Sequence, residues 1–267
     1  MDQGELTGII CARPQNFSLF LGAGTSRTAG LPTATDIIWD LKRRYYCREE
    51  NQEISRQDIH NASVKARIQE YMDSVGFPAQ WADNEYPAYF ERIFGENKER
   101  QRKYVRAILS EDKVTLSVGS RVVGALIASK LCRVAFTTNF DSVVEKAVAE
   151  VEGQSLSAYH LEGSGAAKEA LDNEEYPIYC KLHGDFRYDS LKNLPYDLME
   201  QNKALSECLV NAGNRFGFLV IGYSGRDRSI IDLFHTVLET TNPFPHGLFW
   251  TGIKGSDVHP AVSQLLD

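Results

Sequence analysis

The chain has 267 residues, of which 43% are hydrophobic and 24% charged, with a formal net charge of −7. That length can bury a substantial core in one large domain or two small ones, and the negative balance argues against a general nucleic-acid-binding surface. No run approaches the roughly 18 apolar residues of a membrane span, and the first residues, Met1 to Glu5, lack the basic and apolar regions of a secretion signal. Five cysteines (Cys11, Cys47, Cys132, Cys180 and Cys208) are scattered, odd in number and never spaced Cys-x-x-Cys. This usage fits free thiols in a reducing, cytoplasmic compartment and removes the usual case for a structural zinc site. Cys132 and Cys180 sit at the edges of apolar runs, where buried, inert thiols are expected.

The elements read as follows in chain order. Residues 1–16 form a lead-in helix or coil ending at Pro14, and Phe17 to Leu21 is the first strand. Gly22-Ala-Gly-Thr-Ser26 breaks that strand into a tight turn, and after Gly30-Leu-Pro32 a helix capped by Thr33 or Thr35 runs to about Tyr46. From about 47 to 112 strand-like runs vanish and apolar residues fall at helical spacing. Ile59, Val64, Ile68, Tyr71 and Met72 mark one helix, Tyr89, Phe90, Ile93 and Phe94 another, and Tyr104, Val105, Ile108 and Leu109 a third. This segment is expected to be an inserted all-helical module that walls a pocket, forms an oligomer interface or simply packs.

A helix rich in small residues is expected over Val122 to Leu131, then a strand over Arg133 to Phe136 and a helix over Ser142 to Val151. Leu156 to Leu161 reads as a strand, Gly163 to Gly165 as a loop, and Pro177 to Leu182 as a strand. A helix over Asp197 to Ala212, a buried strand over Phe216 to Ile221, a helix from Arg226-Asp227 to Leu238 and a strand over Gly247 to Trp250 complete the pattern. The alternation predicts an α/β fold: a Rossmann-like, mostly parallel sheet with helices on both faces and the inserted helical module. We expect one domain over 1–267, in a chain that is a piece of a longer protein with a C-terminal sensor or partner-binding domain.

Ligands of an open parallel sheet bind beyond the carboxyl ends of its strands. Four apolar runs here end in polar or glycine-rich clusters: 22–26, Thr137-Thr-Asn-Phe-Asp141, His183-Gly-Asp185 and Gly222-Tyr-Ser-Gly-Arg-Asp227. Each alone has a plainer explanation, since a strand–turn–helix corner needs glycine and Asn or Asp often caps a helix. Gly22 and Gly24 leave the backbone bare to a ligand, and hydroxyls and N–H groups at a helix start suit an anion such as pyrophosphate. Together the clusters put a histidine, an asparagine, hydroxyls and carboxylates on one rim, which predicts a functional crevice.

The order of these clusters resembles the sirtuin family, which carries Gly-Ala-Gly-x-Ser leading to Gly-Ile-Pro, then Thr-Gln-Asn-x-Asp, a His-Gly pair and a late Gly-x-Ser. The resemblance spans roughly residues 17 to 252. The departures select a branch. The two Cys-x-x-Cys pairs of the deacylases are absent, with only Cys208 between His183 and Gly222, and their Asp-Phe-Arg is replaced by Thr33-Ala-Thr35. The helical insertion and the Gly-Tyr-Ser-x-x-Asp form look like the sirtuin-like domains of bacterial antiphage defence proteins, which destroy NAD. Those are fused or bound to a sensor such as a short Argonaute, an ATPase or a repeat domain.

The resemblance implies that NAD is the substrate, with no zinc. Ala23, Gly24 and Ser26 in the loop opened by Gly22 would hold the pyrophosphate, and Asn139 would contact the ribose and place water near C1′. Asp141 would sit in the nicotinamide pocket and His183 would be the general base. Gly222 and Ser224 would face adenosine, with Asp227 either bonding a ribose hydroxyl or capping its helix. It implies a homo-oligomer or a complex with a defence sensor, without direct nucleic-acid or membrane contact. Protein deacylation, cyclisation to cyclic ADP-ribose and non-catalytic sensing of NAD or ADP-ribose are the rivals. A nicotinamide-dependent dehydrogenase would need a third glycine where Arg27 stands.

Overall fold

The structure, a computed structural model, describes residues 2–82, 84–110, 114–160, 164–184 and 203–267. Five parallel strands form one sheet: β1 (Phe17–Leu21), β2 (Val134–Thr137), β3 (Ile178–Lys181), β4 (Gly217–Ile221) and β5 (Leu248–Trp250). Their order is β3-β2-β1-β4-β5, so the connections leave β1 in one direction and β4 in the other. This is an α/β fold of Rossmann-like strand order, and its switch point lies between β1 and β4. The register aligns Leu21 with Thr137 and Ile221, and Thr137 with Lys181. Four strands therefore end at one level and release their loops onto one rim.

The strand sequences are apolar on both faces because both faces are covered. Phe20, Val134, Phe136, Ile178, Cys180, Phe218 and Val220 point into a core with α9 (Ser164–Asp172), α10 (Lys203–Gly213), α11 (Arg228–Leu238) and α12 (Pro260–Leu266). The alternate residues Leu19, Leu21, Ala135 and Tyr179 pack with α7 (Val118–Ala128) and α8 (Val143–Ala149) on the other side. Cys132 and Cys180 are buried thiols, and burial pushes Cys132 up to about 12.

A second core belongs to the helices. The remaining helices are α1 (Gln3–Ala12), α2 (Gly24–Arg27), α3 (Ala34–Glu49), α4 (Ala62–Ser74), α5 (Glu85–Phe94) and α6 (Lys98–Ile108). Ile37, Ile38, Leu41 and Tyr45 of α3 pack with Ile68 and Met72 of α4, Tyr89 and Phe90 of α5 and Tyr104 of α6. The helical core thus begins with α3, before residue 47. Thr33 and Asp36 form a reciprocal capping box that starts it. Inside, Lys42 is wholly buried and pairs with Glu85 at 2.5 Å, a charge that burial alone would expel.

Three expectations are corrected. Leu156 to Leu161 is not a strand: Tyr159 alone bridges Cys180, exchanging hydrogen bonds with Tyr179 and Lys181 at 2.7 and 2.8 Å, and Leu161 lies outside the described residues. The loop expected over Gly163 to Gly165 is helical from Ser164, the start of a helix over Ser164–Asp172 in which Ala167, Ala170 and Leu171 form a buried face at helical spacing. The helix expected from Val122 begins at Val118, capped by Ser117, whose hydroxyl accepts the Ser120 N–H at 3.1 Å. Residues 197–202 of the helix expected over Asp197 to Ala212 lie outside the described residues.

The small residues of α7 have a steric cause. A Cβ on Gly124 would stand 2.5 Å from the Ala147 carbonyl carbon of α8. Gly124→Ala should destabilise the fold by about 1–3 kcal/mol through overpacking, read as a lower urea midpoint with an unchanged slope.

Candidate functional site

The loops after β1 and β4 are fitted backbone to backbone. The Gly22 N–H donates to the Ile221 carbonyl at 2.9 Å and the Gly24 N–H to the Gly222 carbonyl at 2.8 Å. A Cβ on Gly22 would lie 2.5 Å from the Gly222 oxygen, and one on Gly222, where φ is +65°, would lie 2.6 Å from the Thr25 nitrogen. The glycines are thus required by the chain itself, because a side chain on either would wedge the switch point open. The amides of Gly24, Thr25 and Ser26 are all spent on the Gly222, Gly22 and Ala23 carbonyls, whereas the Ala23 N–H meets no acceptor among the described residues.

Asn139 fastens β2 to this pair. Thr137 donates its hydroxyl to the Leu21 carbonyl at 2.8 Å and accepts the Asn139 N–H at 3.0 Å. The Asn139 Nδ2 then donates to the Gly22 carbonyl and to the Ser26 hydroxyl, both at 3.1 Å, with the Thr25 hydroxyl at 3.4 Å. Asn139 is 7% exposed, and its Oδ1 is buried without a hydrogen-bond partner among the described residues. An unmet buried acceptor is costly, so this oxygen is poised to receive a donor from a ligand or water.

Asp141 enters the next helix: its Oδ1 accepts the Val143 N–H at 3.0 Å. Its carbonyl accepts from the wholly buried Lys181 at 2.5 Å, and Lys181 pairs with Glu145 at 2.7 Å. The Phe140 ring between Asn139 and Asp141 stands 6.4 Å from the His183 ring and packs against the helical core.

His183 follows β3 and Asp227 follows β4. Those strands are three spacings apart, about 14 Å, yet His183 Nε2 lies 2.8 Å from Asp227 Oδ2. The two loops therefore arch over the ends of β2 and β1. The alignment falls short of a hydrogen bond, and we treat the pair as an electrostatic contact. The other oxygen of Asp227 caps α11, accepting the Ser229 N–H at 2.9 Å and its hydroxyl at 2.7 Å. Burial pushes the Asp227 carboxyl up, but the His183 ring and the two Ser229 donors outweigh it and hold the group below its ordinary value of 3.8.

Gly22, Ser26 and Asn139 are in direct contact, Gly24 meets Gly222, and His183 meets Asp227. Ser224 is exposed beyond the β4 turn, and Asp185 lies outside the described residues. Sequence reasoning gave no individual role to Thr137, Phe140 or Lys181. The last had a signal, since a lysine inside an apolar strand must find a carboxylate or carbonyl when the strand is buried.

Residues 133–263 match the family model of the SIR2-like domain. Residues 133–263 form a SIR2-like segment. The match contains Asn139, Asp141, His183, Gly222, Ser224 and Asp227 and supports an NAD-related function for the domain. It does not reach the 22–26 loop, which joins the SIR2-like segment through Asn139 and Gly222. No curated protein gives a match. Among the described residues, no cluster of His, Cys, Asp or Glu is placed to hold a metal ion, and no helix is long and apolar enough to cross a membrane.

The depressed carboxyl makes a signed prediction. Asp227 contributes stability above its ordinary value of 3.8, and that contribution is lost as pH falls through the lowered folded-state value. Asp227→Asn should be less stable than the parent at neutral pH. The gap should narrow in acid, as measured by urea unfolding at stepped pH values.

Proposed function

We propose that this SIR2-like domain spans residues 1–267 and is an NAD glycohydrolase, releasing nicotinamide and ADP-ribose. The observation that supports this reading best is Asn139, locked through Nδ2 while its buried Oδ1 stays unpartnered among the described residues. Such an oxygen suits a ribose hydroxyl or a water held near C1′. The Ala23 N–H and the edge of the 22–26 loop suit the pyrophosphate, although the Gly24 amide is engaged with Gly222.

In the reaction, the bond between ribose C1′ and the nicotinamide nitrogen breaks. The electron pair leaves with neutral nicotinamide, and the ribosyl cation is left behind. Water adds its oxygen to C1′ and gives up a proton to His183 as the general base. Asp227 would stabilise the imidazolium that forms, from 2.8 Å away. Asp141 would meet the nicotinamide carboxamide, and Gly222 and Ser224 would border the adenosine end. By resemblance the biological role is depletion of NAD in the cytoplasm as an antiphage effector. It would act as a homo-oligomer or beside a sensor such as a short Argonaute or an ATPase.

Incubation with NAD, with products separated by chromatography, should give nicotinamide and ADP-ribose. His183→Ala and Asn139→Ala should each cut turnover by about a hundredfold or more in protein that still unfolds cooperatively on heating, with a lowered midpoint for Asn139→Ala because its hydrogen bonds to Gly22 and Ser26 are lost. Cyclic ADP-ribose as product would redirect the reading to a cyclase. Binding without turnover, in the assembled complex, would redirect it to a sensor. Full activity of His183→Ala would remove the general-base assignment.

A further inference from the structure

The helical module reaches the β4 loop of the candidate site through a cation–aromatic contact. The guanidinium carbon of Arg226 lies 3.7 Å from the centre of the Trp81 ring. Arg226 immediately precedes Asp227, which caps α11 and meets His183. Among the described residues Arg226 forms no ion pair, so the Trp81 face is its cation partner there.

Trp81 is itself held from the module's core. Its backbone has φ of +77°, a left-handed conformation that a bulky residue adopts only when its surroundings impose it. The imposing group is Glu85, whose Oε2 accepts the Trp81 N–H at 2.9 Å. The Oε1 of the same carboxylate is fixed by Lys42, and Lys42 also donates to Gln69 at 2.6 Å. Three helices, α3, α4 and α5, are thereby fastened at one buried pair, and the Trp81 turn is fastened to that pair. An unbroken series of contacts runs from the module core to His183 through Glu85, Trp81, Arg226 and Asp227.

We propose that Trp81 and Arg226 are positioning residues through which the helical module sets the Asp227–His183 pair, and hence the orientation of the general base. The proposal rests on the NAD-cleaving reading for its kinetic consequence, but its structural part does not. Trp81 is 45% exposed and no part of the central core, so its ring is not retained for burial. Its position explains why a turn far along the chain from the strand ends carries an indole aimed at the β4 loop.

The test compares Trp81→Ala, Trp81→Phe and Asp227→Asn on the whole chain. Without NAD, the ring resonances of His183 are followed by NMR. Trp81→Ala should move them in the direction that Asp227→Asn does, and Trp81→Phe, which keeps an aromatic face, should leave them near the parent position. With NAD, Trp81→Ala should lower kcat by about tenfold to a hundredfold with a smaller change in KM, as expected for a misplaced catalytic group, and Trp81→Phe should restore it. Should Trp81→Ala fail to fold, Arg226→Gln removes the same contact from the other side and is read identically. His183 resonances unmoved in the folded variant would overturn the proposal. A parent chain that leaves NAD intact while the resonances respond would instead overturn the hydrolase reading and leave the positioning contact standing.

Discussion

The candidate site depends on the close approach of two backbones at the switch point. Gly22 and Gly24 lie so near Gly222 that no side chain fits between them, and two amide–carbonyl hydrogen bonds clamp the loops together. Everything else on the rim is measured from that clamp. Asn139 reaches it from β2 through the Gly22 carbonyl, and Tyr223, next to Gly222, anchors the β4 loop by packing its ring at a tilt against Phe20 and Trp250. Burial and the nearby Asp227 carboxylate hold the Tyr223 phenol well above its ordinary range, so it stays a neutral wedge rather than a charge beside Asp227. A glycine-rich turn at a strand end is commonly read as room for a phosphate. Here the room is filled first by the protein, and the ligand surface is what remains at the edge of the filled gap.

The second constraint is the cost of buried charge. Lys42, Lys181 and Glu85 are all removed from water, and each is tolerable only because a partner of opposite charge or a carbonyl stands within hydrogen-bonding distance. Such pairs add little net stability, but they demand one geometry. Lys181 ties the Asp141 turn to the end of β3, and Lys42 with Glu85 ties the module's helices to each other and to the Trp81 turn. The polar rim and the helical core are thus organised by the same device, a buried lysine that tolerates no slack.

The elements that could be read from the chain were those with one strong local signal. The strands β1 and β4 are short continuous apolar runs ended by glycine, and α3 opens on a Thr-x-x-Asp box. The segment around Tyr159 has strand-like composition but pairs at a single residue, because pairing needs a partner edge in register and local composition does not supply one. The helix after Gly163 was hidden by its Ser-Gly start, which reads as a loop. Its Ala-Ala-Lys-Glu-Ala-Leu run favours helix locally, and packing Ala167, Ala170 and Leu171 against α10 adds the tertiary gain.

By itself the sequence determined the α/β alternation, the helical module and the four clusters destined for one rim, since periodicity and turn chemistry are local properties written in consecutive residues. Only the tertiary structure decided which atoms of those clusters are free. It spends the Gly24 amide on Gly222, locks one end of Asn139 and exposes the need of the other, and gives Asp227 both a cap and a histidine. It also brings Trp81 to Arg226 across 145 positions of chain, a contact to which no local pattern points. The physical reason is the same in each case. Hydrogen-bonding capacity and charge are satisfied between segments distant in sequence, and what remains unsatisfied after folding is what a site has to offer.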